Sequence, residues 1–354
     1  MKKIQFDKYT KTVGRTYFKD GVMWLGLSGT GAEFDFCGEK LTLTFIGDSI
    51  ATDSGTTEQS RMAVYIDGER VLDEMVRYDR KSFDIVRSKK SCTVKIVKLT
   101  ESPMSAVGVV AEADDKALIA KSADKKLKIE FIGDSITCGY GVDDEDAEHQ
   151  FSTDTEDVTK AYAYKTAQAL DADYSMFSAS GYGIISGYTE GDVPYSEETI
   201  PQFYDSYGYS RGDFGGEKPQ DIKWDFDRFV PQIIVINLGT NDDSYCRDYA
   251  DRQQGFSKLY AEFLETVRSR NPQAYILCTV GIMGERIFAS VEKALELYLS
   301  KNDDKRISAM KFTEQDGAND GFAANWHPTA KTHTKAAQVL VEKLNDIIMA
   351  EDIG

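Results

Sequence analysis

The sequence predicts a multidomain β + α/β protein, with an all-β sandwich over residues 1–122 and a three-layer α/β/α unit with a parallel sheet over residues 123–354. Three observations predict it. The 354 residues exceed the roughly 150 typical of one domain and include enough apolar side chains for more than one core. The front third consists of short β-type runs separated by turn residues, without helical period. Beyond it strands alternate with helices, the pattern of a parallel sheet covered on both faces.

The elements justify this in order. AEFDF, KLTLTFI, RMAVYIDGERV and SCTVKIVKL read as strands, and the IDGE turn is a hairpin signal. The polar, charged stretch AEADDKALIAKSADKK, starting at Ala111, reads as the joint between the units. After it, KLKIEFIGDS is a buried-type strand ending in a turn and TKAYAYKTAQAL has helical period. DYSMFSASGYG returns to strand and turn, and PQIIVINLGTND is an apolar strand with a polar end. GFSKLYAEFLETVRSR, GERIFASVEKALELYLS and TKAAQVLVEKLNDIIMA are amphipathic helices, while AYILCTVGI and ISAMKFT are further strands. Ligands of such sheets bind where strands end, so DSIT, SGYG and GTND are expected to meet on the carboxyl edge.

The net charge of −17 repels polyanions, which argues against nucleic acid and anionic membrane surfaces as partners. Cys37, Cys92, Cys138, Cys246 and Cys278 are odd in number and lack CxxC spacing, so they read as reduced thiols. MKKIQFDKYT has no apolar stretch of the secretory kind, and no run approaches the about 18 apolar residues of a membrane span. The expectation is a cytoplasmic protein, with which a homo-oligomer is compatible. No metal and no cofactor are expected: HExxH is absent, the three histidines are scattered, and SGYGIISG misses GxGxxG at Ser186. GxSxG is also absent, against an α/β-hydrolase nucleophile elbow.

FIGDSI occurs twice, at Phe45–Ile50 and Phe131–Ile136. The first copy sits among β-type runs and continues as ATDSGTTEQS, so Ser49 reads as a turn serine. The second lies in strand-to-helix grammar, which makes Ser135 the candidate nucleophile. A neutral hydroxyl needs a base. His149 lies in the acidic stretch DDEDAEHQ and reads as a solvated loop residue, and His333 reads as a packing or surface position in the last helix. His327, in NWHP, is held out of helix by the following proline and is the candidate base. Oxyanion donors are read at Gly181 in SGYG, where no side chain blocks the backbone N–H, and at the Asn241 amide in GTND.

GDSIT, SGYG, GTND and the late HP resemble the ordered blocks of the SGNH (GDSL-type) hydrolases. The resemblance implies Ser135 as nucleophile, Gly181 and Asn241 as oxyanion donors with the Ser135 N–H as a third, and His327 as base. The front half, with WLGLSGTGAEFDFCGEKL, VYIDGE and TVKIVKLTES, resembles carbohydrate esterase family 2. That implies an N-terminal jelly-roll β-sandwich ahead of the SGNH-hydrolase domain, and removal of O-acetyl groups from xylan-type or related oligosaccharides through an acyl-enzyme. An esterase or thioesterase for longer acyl groups, and a carbohydrate-binding protein with a lapsed hydrolase site, are the alternatives.

Many SGNH enzymes have an aspartate three residues before the histidine, where this sequence has Ala324. Family 2 members are known that use a Ser/His dyad with a backbone carbonyl holding the imidazole. The expectation is therefore a dyad, with the carbonyl of Ala324 or a neighbour, or the Asn325 side chain, accepting from His327; Asp320 is the upstream carboxylate that would complete a triad instead. Trp326 is expected to stack a pyranose beside the scissile ester. The segment from Tyr188 to Trp224, rich in Tyr, Gly and Asp, is expected to form an ordered rim over the cleft.

Overall fold

The computed structural model describes residues 1–353 and divides into two compact units. One comprises Met1–Lys125, Ser152–Glu156 and Asp205–Trp224; the other comprises Lys126–Phe151, Asp157–Tyr204 and the chain from Asp225 onward.

The first unit consists of two antiparallel sheets. One orders Thr16–Lys19, Val22–Leu25, Val107–Ala113, Leu41–Gly47 and Arg80–Val86. The other orders Leu118–Lys121, Gly31–Gly38, Lys90–Lys98, Arg61–Ile66 and Glu69–Met75. Alternation decides which faces are inner: Phe34 and Phe36, Met62 and Val64, and Val94 and Ile96 from one sheet share a core with Leu43, Phe45, Val107 and Val109 from the other. Each such side chain contributes about 1.5–3 kcal/mol on burial. The hairpin read at IDGE is present: Asp67 and Gly68, with φ of 51° and 85°, make the two-residue turn joining Arg61–Ile66 to Glu69–Met75.

The stretch read as a joint carries strand at both 111–113 and 118–121, and the boundary between the units falls at its end, after Lys125. Val107–Ala113 is a central strand, and Leu118–Lys121 pairs with Gly31–Gly38 at a sheet edge. An edge strand with mostly exposed side chains buries little, so its composition resembles that of a linker. The segment expected as a rim divides as well, since Asp205–Trp224 counts with the first unit. Aromatics hold it there. Phe214 stacks on Tyr17 with centroids 5.6 Å apart, the Tyr17 hydroxyl donates to Glu217 at 2.6 Å, and the Arg15 guanidinium lies 5.3 Å from the Trp224 ring.

The second unit is built on a five-stranded parallel sheet. Its first strand, Leu127–Gly133, lies between the second, Ala172–Ser178, and the third, Ile233–Asn237; Tyr275–Val280 and Ile307–Lys311 follow outward. Ile233–Asn237 is buried throughout, as strands covered on both faces are. Helices Tyr162–Ala169, Ala250–Arg270, Phe288–Leu299 and Ala330–Glu351 stand where the 3.6-residue period predicted helices. Strand order reverses at the first strand. Gly133 is in register with both Ser178 and Asn237, so three strands end level and side by side. Among the described residues no helix is long and apolar enough to cross a membrane.

Candidate active site

Those three level strand ends carry the predicted motifs. After Gly133 the chain turns at Asp134, whose side chain accepts the Ile136 N–H at 3.0 Å and caps the short helix Ser135–Cys138. Ser135 thus stands in the first turn of that helix, 6% exposed. After the second strand, Gly181 adopts φ +82°, a left-handed conformation in which a side chain is strained. After the third, Asn241 opens the helix Thr240–Cys246 and its Nδ2 donates to the Tyr182 carbonyl at 2.9 Å, joining the third strand's turn to the second's.

His327 arrives from the chain's last quarter. Its Nε2 lies 2.9 Å from Ser135 Oγ, and its Nδ1 lies 3.0 Å from the main-chain oxygen of Asn325. A carbonyl only accepts, so Nδ1 holds the proton and Nε2 presents a lone pair to the serine hydroxyl. Burial pulls the imidazole down to about 4, against an upward pull from the Asn325 and Ala324 backbone. The ring is therefore neutral at pH 7 and able to take a proton.

Of the acceptors expected for His327, the one in contact with its Nδ1 is the main-chain carbonyl of Asn325. The Asn325 side chain points elsewhere and donates to the Tyr140 hydroxyl at 2.9 Å. Asp320, the carboxylate of the alternative triad, is instead paired with Lys331 at 2.9 Å and Lys335 at 2.5 Å. Asn325 and Trp326 have φ of +51° and +61° in succession, and this double left-handed step turns the Asn325 oxygen back toward the ring two residues on.

Trp326 is 52% exposed, its ring 5.1 Å from that of Phe322. His149 is exposed and its Nδ1 lies 2.9 Å from Asp144. His333 is fully buried, accepts the Tyr162 N–H at 3.2 Å, and is pulled down to about 3 by burial, which makes it a packing residue. Ser49 is an exposed turn residue of the first unit.

A model of the GDSL-like Lipase/Acylhydrolase family matches residues 131–335, more than half of the sequence, with all four converging motifs inside it. The chain belongs to this family. Its relatives include the Cellulase/esterase CelE of Acetivibrio thermocellus, 28% identical over 323 residues, covering 89% of this chain and 38% of that protein. The Acetylxylan esterase / glucomannan deacetylase of Cellvibrio japonicus is 29% identical over 221 residues, 62% of this chain and 57% of that protein. The chain therefore spans less than two thirds of the length of either relative. A solved structure, of a family two carbohydrate esterase from Clostridium thermocellum in complex with cellohexaose, superposes with a TM-score of 0.80 at 26% identity, covering 96% of this chain and 99% of that one.

Sequence reasoning missed two side chains of this GDSL-family site. Asp242 is fully buried; its carboxylate accepts the N–H groups of Ile184 at 2.8 Å, Ile185 at 2.7 Å and Ser186 at 3.2 Å, which ties the GTND helix to the SGYG turn. Burial raises it to about 6 even though those three donors pull it down. Its position directly after Asn241 was the available signal. Tyr140 stacks on His327 with centroids 4.1 Å apart and is backed by Phe151 at 3.8 Å. Only its place five residues after Ser135 hinted at it.

Proposed function

We propose that this protein is a carbohydrate O-acetyl esterase of the family 2 kind, working through a Ser/His dyad. The observation that carries the reading is the relay from the Asn325 carbonyl through His327 to Ser135 Oγ, at 3.0 and 2.9 Å. In the mechanism, Ser135 Oγ bonds to the acetyl carbonyl carbon while its proton passes to His327 Nε2. The oxyanion is held by the N–H groups of Ser135 and Gly181 and by the Asn241 amide, with one such donor worth about 3 kcal/mol in the transition state. The bond from the carbonyl carbon to the sugar oxygen then breaks, and the imidazolium returns its proton to that oxygen. Water adds to the acetyl-serine with His327 again as base, acetate leaves, and the Ser135 hydroxyl is restored.

The names of the relatives support an acetylated polysaccharide or oligosaccharide as substrate, and the exposed Trp326 ring next to His327 supports its role as a pyranose platform. The segment Tyr188–Tyr204, which stays with the second unit, is poor in aliphatics, which favours acetyl over longer acyl groups. We take the front sheets as a jelly-roll domain ending near residue 122, and five free thiols support a reducing, cytoplasmic setting.

Acetate release from acetylated xylo-, gluco- and manno-oligosaccharides, by wild type and Ser135→Ala, tests the reading. Release that disappears in the variant is expected. Equal release by Ser135→Ala overturns the mechanism, and faster turnover of p-nitrophenyl octanoate than of the acetate overturns the acetyl preference.

A further inference from the structure

A neutral carbonyl holds an imidazole less firmly than a carboxylate does, because charge-assisted hydrogen bonds are roughly twice as strong as neutral ones. The segment that supplies this carbonyl is also strained. Two successive non-glycine residues in the left-handed region, Asn325 and Trp326, persist only where surrounding structure over-determines them. Something must therefore hold Asn325 and His327 in place.

The contacts that do so converge on the loop following the nucleophile's helix. The Ala324 N–H donates to the Asp144 carbonyl at 2.9 Å and the Asn325 N–H to the His149 carbonyl at 3.1 Å. One side chain of that loop does more. The Tyr140 ring covers the His327 ring at 4.1 Å with 28° between planes, and its hydroxyl accepts from Asn325 Nδ2 at 2.9 Å. Its backbone N–H donates to the Ser135 carbonyl at 3.2 Å. Tyr140 thus touches the base, the residue that orients the base, and the residue carrying the hydroxyl. Phe151, stacked 3.8 Å behind it at 13°, keeps the ring from withdrawing. Nearby Gly141, at φ +63°, has room for no side chain: a Cβ there would lie 2.9 Å from that of Ala324.

We propose that Tyr140 is a positioning residue that takes over the work of the missing carboxylate, its ring fixing the plane of His327 and its hydroxyl, through the Asn325 side chain, fixing the carbonyl that selects the imidazole tautomer. The proposal rests on the Ser135/His327 reading. It predicts a division of labour within one side chain, the ring acting on the base directly and the hydroxyl acting through Asn325.

The test uses the full chain with Tyr140→Phe, Tyr140→Leu and Asn325→Gly, the last keeping the carbonyl and favouring positive φ. On p-nitrophenyl acetate, kcat is expected to fall about tenfold in Tyr140→Phe and about a hundredfold in Tyr140→Leu, with KM within about twofold, since misplacement of a catalytic group acts on the chemical step. Because the first and third variants remove one shared hydrogen bond, the Tyr140→Phe/Asn325→Gly double variant is expected to be no slower than the slower single one. Independently of turnover, ¹⁵N NMR of His327 in a Ser135→Ala background is expected to give the Nδ1–H tautomer, and a mixture once Tyr140→Phe is added. An unchanged kcat in folded Tyr140→Phe, a loss confined to KM, or an unchanged tautomer overturns the proposal. Should Tyr140→Leu fail to fold, the Phe variant decides. Should Ser135→Ala remain active, the esterase reading falls while the NMR measurement still judges Tyr140.

Discussion

Phe45–Ile50 and Phe131–Ile136 carry the same six residues in two kinds of sheet. Locally they fold alike. Asp48 Oδ1 accepts the Ile50 N–H at 3.0 Å, and Asp134 Oδ1 accepts the Ile136 N–H at 3.0 Å, the same turn made by the same residues. Their neighbours differ. Gly47 and Ile46, ending an antiparallel strand, lie opposite Val107 and Arg80, where the flanking strands begin. Gly133 ends a parallel strand opposite Ser178 and Asn237, where the flanking strands also end. The parallel sheet therefore sets the turns that leave three strands around Ser135, whereas the antiparallel one sets beside Ser49 the segments that enter its neighbours, and Asp48 accepts from Ser105 and Ala106 there. The hexapeptide makes the turn; strand direction makes the site.

Four experiments break or sharpen this contrast. The largest effect is expected from the serines: Ser135→Ala should lower kcat on p-nitrophenyl acetate by about 10⁴-fold or more, while Ser49→Ala stays within about twofold. Comparable losses in both would end the distinction. Next, Asn241→Ala, which removes a side chain that only the parallel setting supplies, should cost about 10²- to 10³-fold in kcat.

The third is pH. Only the second copy faces an imidazole, held at about 4 from an ordinary 6.5, so kcat/KM should be flat through the neutral range and fall about tenfold per unit below pH 4. In the unfolded chain the ring takes its proton first, so this group's contribution to stability is full above pH 6.5 and is lost as pH falls toward 4. A half-maximum near pH 6.5 would mean that the ring is not desolvated. The smallest effect is the most symmetrical. Asp48→Ala and Asp134→Ala should each cost about 1–3 kcal/mol in urea unfolding, since each carboxylate satisfies buried donors. Of the two, only Asp134→Ala should lower kcat.

Much of this was legible beforehand. Continuous apolar runs such as IIVIN announce strands buried on both faces, and the turn residues after them announce the strand-end motifs, because both properties are written within a few consecutive positions. What was not legible depends on partners far along the chain. Leu118–Lys121 passes for linker because it buries little of itself, and Asp205–Trp224 passes for part of the second unit because nothing in its own composition names Tyr17 and Arg15 as its anchors. Near His327, Ala324 in place of a carboxylate left a neighbouring carbonyl, the Asn325 side chain or Asp320 as the expected partner of the ring. Which of these it would be depended on the backbone angles of Asn325 and Trp326, which no residue preference fixes in advance.

The neutral hold on His327 carries one more consequence. The resting pair, from the Asn325 oxygen through the ring to Ser135, contains no full charge, so mobile ions have nothing in it to shield. The kcat on p-nitrophenyl acetate is therefore expected to stay within about twofold from dilute buffer to about 1 M salt.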